Sequence, residues 1–235
     1  MSHKILLYIQ PAYNYKLGRI EYAEILVRNY RGIDSVKNIM RFVTRNNIEE
    51  QFDFEVLQET LRVMRQTPKL SYPIGINLCS KTAEKPDIAC KIIKEIDKYN
   101  INHSDIIIEI NESTDFKNEN VLDNMRKLRQ HGIKVALDDF GVDKSNLYTL
   151  VCSEVDILKV DRAFIDNRYI EYEQSQNTVL RMLLQLCNSL KMKPIVEGIE
   201  TTKQLQNIEK LGYCVVQGYL YEKPKPYIEY MTAQG

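Results

Sequence analysis

The sequence has little of the composition that marks linkers and disordered segments. Its 235 residues include only nine glycines and seven prolines, and no stretch is of low complexity. A Pro/Gly/Ser-rich linker is also missing, so nothing divides the chain into separate units. We therefore expect residues 1–235 to form a single domain, with a length in the range of about 200–250 residues that is typical of an α/β barrel.

The chain also lacks an excess of charge of either sign, with 32 basic and 32 acidic residues. This balance argues against a duplex nucleic-acid partner, and the absence of a polybasic tail argues against a membrane surface. Apolar runs such as Ile5–Ile9 are far shorter than the roughly 18 residues of a membrane span. The five cysteines form no CxxC motif, which is typical of reduced thiols in a cytoplasmic protein.

The order of the predicted elements indicates an α/β barrel. The predicted strands Lys4–Gln10 and Ile20–Arg28 are joined by a turn around Gly18 that is too short for a parallel crossover, so we expect this pair to be antiparallel. After Arg28, helical and strand patterns alternate, which is typical of a mostly parallel sheet. No GxGxxG motif follows a predicted strand, and this absence favours a barrel over a dinucleotide-binding fold.

Polar side chains that can bind metal or move protons stand at or near the ends of six predicted strands. They are Asn77, Glu109, the Asp138-Asp139 pair, Lys159, Glu197 and Gln217. In an α/β barrel the carboxyl ends of the strands open onto one mouth, so we expect these groups to converge. Crowded carboxylates repel each other and are costly to desolvate, and bound divalent cations are the usual compensation. The sequence therefore predicts a metal site at the mouth.

The sharpest local motif is Asp138-Asp139-Phe140-Gly141. Adjacent strand residues face opposite ways, so both carboxylates can serve one site only if the strand ends between them. Gly141 permits such a sharp exit. The competing interpretation is a helix cap followed by a turn, which Asp and Gly favour. Protein kinases contain the same four-residue motif, but no Gly-rich loop or HRD-type sequence accompanies it here.

Further candidates share a strand face with one another or follow a strand end. Lys159 and Asp161 face the same way, so Lys159 can hold an attacking water or neutralise a phosphate, or it can form an ordinary buried ion pair. Glu24 and Arg28 also share a face, which suits either a salt bridge or a clamp for a phosphodiester. Glu200 offers one more acid just beyond a strand end.

In this order, the motifs resemble those of the EAL family of cyclic di-GMP phosphodiesterases, over nearly the whole chain. The segments that carry the resemblance are Gln10-Pro11, Glu24–Arg28 (EILVR, like EALLR), Ile76–Ser80, Ile108–Ser113, Ala136–Gly141 (ALDDFG), Leu158–Phe164, Val196–Thr201 and Gln217–Leu220. The resemblance implies a TIM-like (β/α)8 barrel with one antiparallel strand. It also implies hydrolysis of cyclic di-GMP to the linear dinucleotide, Mg²⁺ or Mn²⁺ at two sites, and a homodimer.

Roles for individual residues are implied by the same resemblance. The first ion would be held by Glu24, Asn77, Glu109 and Asp138. The second would be held by Asp138 and Asp139. Lys159 and Glu197 would orient and deprotonate the attacking water, and the sequence does not decide which of the two is the base. The residues expected to contact the nucleotide are Gln10, Leu26, Arg28 and Gln217. Glu112 would brace the loop that follows Gly141.

The chain departs from the family pattern in two places. Ile25 stands where alanine is usual, and alternation directs it away from Glu24, so we expect it to be tolerated. The loop Val142–Asn146 replaces the usual T-G-Y-S-S, with Asp143 in place of glycine and Lys144 in place of tyrosine. In the family this loop orders the second metal and contributes to dimerisation, so the departure bears on metal affinity and dimer geometry.

Two other functions compete with an active phosphodiesterase. One is a catalytically silent relative that acts as a cyclic di-GMP receptor or a protein-interaction module. Such a relative would lack ligand or lysine positions, whereas every matched position is present here. The other is a metal-dependent aldolase or isomerase, which would need a Gly-rich phosphate loop late in the barrel, and Gln217-Gly218-Tyr219 is not such a loop.

Overall fold

A computed structural model describes residues 5–141, 150–151, 155–165 and 173–233. The strands are β1 Ile5–Asn14, β2 Arg19–Tyr30, β3 Ile33–Asp34, β4 Ile74–Leu78, β5 Ile106–Asn111, β6 Lys134–Phe140, β7 Ile157–Val160, β8 Lys193–Val196, β9 Val215–Gln217 and β10 Lys225–Pro226. The α-helices are α1 Val36–Arg45, α2 Glu49–Gln66, α3 Ser80–Ala83, α4 Ile88–Lys98, α5 Glu119–Gln130, α6 Glu173–Ser189, α7 Thr202–Leu211 and α8 Tyr227–Thr232.

Eight of these strands close into a TIM-like barrel. Their order is β1-β9-β8-β7-β6-β5-β4-β2, and pairing of β2 with β1 closes the ring. Strand β1 is antiparallel to both neighbours, β2 and β9, while the other pairs of barrel strands are parallel. The prediction of a barrel with one antiparallel strand is therefore confirmed. The two-residue strands β3 and β10 extend the sheet outside the ring and are too short to leave a pattern in the sequence.

Two apolar layers hold the barrel together. The larger layer lies between the strands and the surrounding helices and includes Ile25, Ile76 and Ile108. A smaller cluster combines residues from several strands, among them Tyr22, Ile107, Ala136, Ile157, Ile195 and Val215. The alternation of side chains along these strands separates this cluster from the larger layer. It forms an apolar plug below the polar groups at the carboxyl ends of the strands.

The helical patterns of the sequence correspond to helices in the described residues, and α1 and α5 begin where their patterns begin, at Val36 and Glu119. The apolar period of the sequence predicts a helix from Val179, but α6 begins six residues earlier, at Glu173, because its first turns are polar and carry no such period. Helix α5 ends at Gln130, and Gly132 takes the left-handed conformation expected of a stop, with φ of 85°. The sequence also predicts a short helix over Asn146–Val151, which lies mostly outside the described residues, and the loop Val142–Asn146 lies wholly outside them. In the described part of the chain, no helix combines the length and the apolarity needed to cross a bilayer.

A buried carboxylate fixes the turn that follows strand β4. Asp53 of α2 is buried, and its Oδ2 accepts a hydrogen bond of 3.0 Å from the backbone N–H of Cys79, the residue before α3. Burial raises the pKa of Asp53 to about 7, although the hydrogen bond from Cys79 works in the opposite direction. Because Asn77 stands just before this turn, Asp53 helps to set the position of a predicted metal ligand.

The raised pKa of Asp53 gives a sign to the pH dependence of stability. The carboxyl binds its proton more tightly in the folded protein, where its pKa is about 7, than in the unfolded chain, where it is 3.8. The stabilisation that Asp53 adds to the free energy of unfolding is therefore present in full below the pKa of the unfolded chain. It is lost as the pH rises through the pKa of the folded protein.

We predict that the wild-type protein loses stability relative to Asp53→Asn between about pH 4 and about pH 7, by at most about 4 kcal/mol. Asparagine keeps an oxygen to accept from Cys79 but has no charge to bury. Urea unfolding of both proteins at several pH values measures the difference. A difference in the free energy of unfolding that is constant across this range would contradict the assignment.

Candidate metal centre

The carboxyl ends of the barrel strands surround a cavity of about 740 Å³. Nearly all the residues that the sequence singled out contribute to its wall, namely Gln10, Glu24, Leu26, Arg28, Asn77, Asp138, Asp139, Lys159, Asp161, Glu197, Glu200 and Gln217. Glu109 is completely buried among them, and Glu112 lies beside the end of β6. The convergence that was inferred from the strand ends is therefore present in the structure.

The centre of the cluster is a buried lysine that contacts four carboxylates. Lys159 Nζ lies 3.0 Å from Glu24 Oε2, 2.6 Å from Glu109 Oε2, 2.8 Å from Asp138 Oδ1 and 2.9 Å from Glu197 Oε1. The side chain of Lys159 is only 1% exposed. Glu109, Asp138, Lys159 and Glu197 stand on or directly after β5, β6, β7 and β8, which follow one another in the sheet, whereas Glu24 stands on β2. One ammonium cannot balance four carboxylates, so the cluster keeps a deficit of positive charge.

Amide side chains fix the position of Glu24. Asn77 Nδ2 donates to Glu24 Oε1 at 2.9 Å, and Gln217 Nε2 donates to Glu24 Oε2 at 3.0 Å. Tyr22, a buried residue that the sequence did not single out, donates through its hydroxyl to Gln217 Oε1 at 3.1 Å. Tyr22 therefore orients the amide that in turn orients Glu24. The signal available in the sequence was its position two residues before Glu24 on the same strand face.

A glycine in strand β4 makes room for Glu109. Gly75 pairs with Glu24 of β2 on one side and with Ile107 of β5 on the other. A methyl group at Gly75 would lie 1.8 Å from Glu109 Oε1. Among the described residues, this oxygen is buried without a hydrogen-bond partner. A glycine inside a strand often marks such a close approach, so Gly75 is a signal in the sequence for a site residue that was not predicted.

The Asp138-Asp139 pair reaches one cavity through a bulge in β6 and not through a strand end. We predicted that the strand would end between the two residues, but β6 continues to Phe140. Its pairing with β7 shifts register between Leu137 and Phe140, and Asp139 has a φ of 56°. This bulge breaks the alternation, so both carboxylates line the cavity. The prediction of a strand end was wrong, and the prediction of a shared cavity is confirmed.

Burial dominates the pKa values of most of these carboxyls. It raises the pKa of Glu109 well above the usual value and also raises that of Asp138, despite the nearby charge of Lys159. The same cause raises the pKa of Asp139 to about 6 and that of Glu197 to about 8. Without further positive charge, these groups therefore favour protons, which is the expected behaviour of a carboxylate cluster built for cations.

Glu24 and Lys159 are the two members of the cluster whose pKa values are shifted in the direction that favours the charged form. Burial works to raise the pKa of Glu24, but the charge of Lys159 and the hydrogen bonds from Asn77 and Gln217 lower it overall. Burial works to lower the pKa of Lys159, but the surrounding carboxylates raise it well above the usual value. Lys159 is therefore an ammonium ion that acts as a hydrogen-bond donor.

Two groups of three carboxylates have the spacing of metal ligands. Glu24, Glu109 and Asp138 offer oxygens that all lie within 4.8 Å of one another, and so do Asp138, Asp139 and Glu197. Asp138 belongs to both groups, as a bridging ligand would. The unpartnered oxygen of Glu109 belongs to the first group. These oxygen donors fit hard divalent cations, so the residues present suit a two-metal centre.

The remaining predicted residues lie around this centre. Gln10 Nε2 donates to the backbone oxygen of Glu222 at 3.1 Å, and the Arg28 guanidinium lies 5.8 Å from the centre of the Tyr8 ring. Glu112 Oε2 accepts a hydrogen bond of 2.8 Å from the backbone N–H of Gly141. Glu112 thus holds the first residue after β6, at the start of the loop that it was expected to brace.

Two acids at the rim make no contact with the carboxylate cluster among the described residues. Asp161 follows β7 and accepts from the backbone N–H of Ala163 at 2.7 Å, so it caps a short 3-10 turn. Glu200 is exposed, and its backbone N–H donates to Gln204 Oε1 at 2.9 Å. Both side chains therefore contribute negative charge to the wall of the cavity rather than a ligand to its centre.

The fold and this site together define a class of protein, a TIM-like barrel with one antiparallel strand and a carboxylate-rich metal site at its mouth. The family model described as EAL domain matches residues 2–224. The chain belongs to this family.

Curated relatives resemble this chain over almost its whole length. The probable cyclic di-GMP phosphodiesterase PdeA of Escherichia coli (strain K12) is 31% identical over 227 residues, which cover 94% of this chain and 31% of the relative. The cyclic di-GMP phosphodiesterase NbdA of Pseudomonas aeruginosa is 25% identical over 227 residues, or 94% of this chain and 29% of the relative. This chain thus spans about a third of the length of these two proteins.

Solved structures of EAL proteins share the fold. The PaMucR phosphodiesterase in complex with c-di-GMP has a TM-score of 0.87 and 24% identity, covering 97% of this chain and all 100% of that one. The Klebsiella pneumoniae BlrP1 complex with manganese and cy-diGMP has a TM-score of 0.83 and 22% identity, covering 95% of this chain and 56% of that one. An EAL domain protein from Listeria monocytogenes EGD-e has a TM-score of 0.84 and 25% identity, covering 97% and 91%.

The close approach of Gly75 and Glu109 makes a prediction about metal binding. Gly75→Ala should displace the Glu109 carboxylate and weaken Mn²⁺ binding by about 10-fold to 100-fold, because a ligand is moved out of place. Isothermal titration with Mn²⁺ measures the affinity.

A double-mutant cycle separates this effect from general damage to the barrel. Glu109→Ala alone should also lose affinity, and adding Gly75→Ala to it should cost little more, because no carboxylate is left to displace. If the two losses were additive, Gly75 would not act through Glu109.

Proposed function

We propose that this chain is a metal-dependent phosphodiesterase that hydrolyses cyclic di-GMP to linear pGpG. The observation that carries the proposal is the pair of carboxylate groups that share Asp138 and surround the buried Lys159. The named activity of the curated relatives and the c-di-GMP in the PaMucR complex support the choice of substrate.

Two Mg²⁺ or Mn²⁺ ions are the proposed cofactors. Glu24, Asn77, Glu109 and Asp138 would hold the first ion, and Asp138 and Asp139 would hold the second. When bound, such a pair of ions lowers the pKa of a water molecule and stabilises the attacking and leaving oxygens of an in-line displacement. The ions would also supply the positive charge that Lys159 alone cannot provide to the carboxylates.

Glu197 is the proposed general base. Lys159 directs its N–H groups at carboxylate oxygens and holds them in place, so it is a donor and has no lone pair to accept a proton. Glu197 is more accessible from the cavity, with a side chain that is 17% exposed, whereas that of Glu109 is 0% exposed. Desolvation raises the pKa of this half-buried carboxyl to about 8, which is well matched to accepting a proton near neutral pH.

Substrate contacts are assigned to the residues that line the cavity beside this centre. The Arg28 guanidinium can clamp a phosphate that the metal centre does not hold. Gln10 and Gln217 can offer amides to the nucleotide, and Leu26 can offer apolar surface to a base or a sugar. A homodimer and a cytoplasmic location remain predictions from the family resemblance and the cysteine usage.

The completeness of the cluster favours catalysis over nucleotide binding alone. A receptor that only binds cyclic di-GMP needs Arg28 and the amides but has no use for a lysine buried among four carboxylates. Such a cluster is costly to bury and is rarely kept without a function. We therefore propose an enzyme rather than a silent receptor.

The first test of this proposal is metal dependence. Purified protein incubated with cyclic di-GMP and Mg²⁺ or Mn²⁺ should yield pGpG, separated from the substrate by chromatography. EDTA should stop the reaction, and Ca²⁺ should bind but support it poorly, because it is larger and less demanding of octahedral geometry. Asp138→Asn, prepared in the same way, serves as the control for contaminating activity. Undiminished turnover after dialysis against EDTA would contradict the proposal.

The second test separates catalysis from binding. Glu197→Gln should lower kcat by about 10²-fold or more and leave the Kd for cyclic di-GMP, measured with Ca²⁺ present, nearly unchanged. Arg28→Ala should instead weaken binding by about 1–3 kcal/mol, because it removes a charged hydrogen bond to phosphate. Near-normal turnover by Glu197→Gln would contradict the assignment of Glu197 as the general base. Unchanged binding by Arg28→Ala would contradict the assignment of Arg28 as a phosphate-binding residue.

A further inference from the structure

Helix α1 carries three cationic side chains and no acidic one. Lys37, Arg41 and Arg45 follow one another at four-residue spacing, and all three are exposed. With 3.6 residues per turn and a rise of 1.5 Å per residue, they form a row about 12 Å long on one side of the helix. We call these three residues the cation row.

The cation row borders the cavity of the metal centre. Val36, Met40 and Thr44 line the cavity wall, and each directly precedes one member of the cation row. Because consecutive helical residues point about 100° apart, the cation row lies on the solvent side of α1, turned away from this wall. Any ligand that enters over α1 therefore passes these cations before it reaches the carboxylates.

The cation row is not neutralised within the part of the chain that the structure describes. No carboxylate there lies within 4.0 Å of Lys37, Arg41 or Arg45. Nearby cations behave differently, since Arg31 and Lys81 are paired with glutamates at 2.8 Å and 3.0 Å. The cation row thus keeps its full charge toward solvent, where it can act on an approaching anion.

The charge inside the cavity explains why such a rim matters. Glu24, Glu109, Asp138, Asp139 and Glu197, when ionised, carry five negative charges, against one positive charge on Lys159. Two divalent cations would balance the remaining four, so the loaded centre has no net charge to attract an anion from a distance. The acids Asp161 and Glu200 also line the cavity, and the cations Arg28 and Arg162 line it beside them.

We propose that the cation row is an electrostatic guide that draws anionic phosphodiesters over α1 into the cavity. The inference rests on the proposed function, since that function supplies the dianionic cyclic dinucleotide as substrate. Clefts with cations of this kind raise association rates by about 10-fold to 10³-fold, and the gain falls with ionic strength because the Debye length is about 10 Å at 0.1 M salt. The cation row lies at the rim, so it acts on capture of the substrate and not on the chemical step.

The test compares two triple variants of equal charge. The first is Lys37→Gln with Arg41→Gln and Arg45→Gln, which keeps good helix formers in α1. The control is Lys134→Gln with Lys191→Gln and Lys210→Gln. Lys134 and Lys191 are exposed at or just before the amino ends of β6 and β8, and Lys210 is exposed in the last turn of α7, which leads into β9. These strand ends lie at the end of the barrel opposite to the cavity.

Steady-state kinetics with cyclic di-GMP should show a loss confined to kcat/KM. At about 20 mM ionic strength, the α1 variant should lose roughly 10-fold in kcat/KM against the control variant, with kcat unchanged. At about 0.5 M ionic strength the two variants should agree within about 2-fold, because salt screens the exposed charges. A merely structural role of α1 would not produce this convergence in salt.

A second substrate tests the dependence on substrate charge. Bis(p-nitrophenyl) phosphate is a phosphodiester with one negative charge instead of two. The logarithm of the loss in kcat/KM should therefore be about half of that seen with cyclic di-GMP under the same conditions. Equal losses for both substrates would show that α1 contacts the substrate or shapes the cavity, and would overturn the guide.

The outcomes separate this inference from the function on which it rests. In one outcome, the wild-type protein hydrolyses cyclic di-GMP while the two triple variants have equal kcat/KM at low salt. That result would contradict the electrostatic role of the cation row and leave the proposed enzymatic function in place. If the wild-type protein and both variants fail to hydrolyse cyclic di-GMP with Mg²⁺ or Mn²⁺, the proposed function itself is wrong.

Discussion

The ion pairs between Lys159 and four carboxylates are the interaction on which the rest of the barrel mouth depends. Glu24, Glu109, Asp138 and Glu197 come from separate segments of the chain and share one buried ammonium. Removing water from one such carboxylate costs several kcal/mol, so four of them are stable together only around concentrated positive charge. Lys159 supplies part of this charge and fixes the geometry, and the deficit that it leaves is what makes the cluster a site for divalent cations.

The barrel makes this arrangement possible by closing a parallel sheet. Its closure brings the carboxyl ends of the strands to one rim, and the apolar plug around Tyr22 and Ile107 keeps the polar groups above the plug. Local exceptions to regular geometry complete the site. Gly75 gives space to the Glu109 carboxylate, and the bulge at Asp139 directs two consecutive acids into one cavity. Each of these departures makes the sheet less regular and places a candidate metal ligand, which is typical of functional sites.

The architecture and the membership of the site could be predicted from the sequence, but the contacts within the site could not. Short turns, alternating elements and polar strand ends predicted the barrel, the antiparallel first pair and the convergence of the acids. The positive φ of Asp139 and the role of Gly75 depend on packing between strands that are distant in sequence, and no local pattern reveals them. The choice between Lys159 and Glu197 as the base was also open, because it depends on how many carboxylates surround the lysine. The roles of the individual ligands stay predictions until an ion is observed.

Anomalous diffraction from crystals grown with Mn²⁺ and cyclic di-GMP tests the central claim most directly. The account predicts two Mn²⁺ peaks at the barrel mouth, both within about 2.5 Å of Asp138 oxygens, with Glu24, Glu109 and Asn77 around one and Asp139 beside the other. It also predicts that Lys159 stays within hydrogen-bond distance of at least one of these carboxylates. A structure at saturating Mn²⁺ with no peak beside Asp138, in which Lys159 still contacts all four carboxylates, would contradict the account.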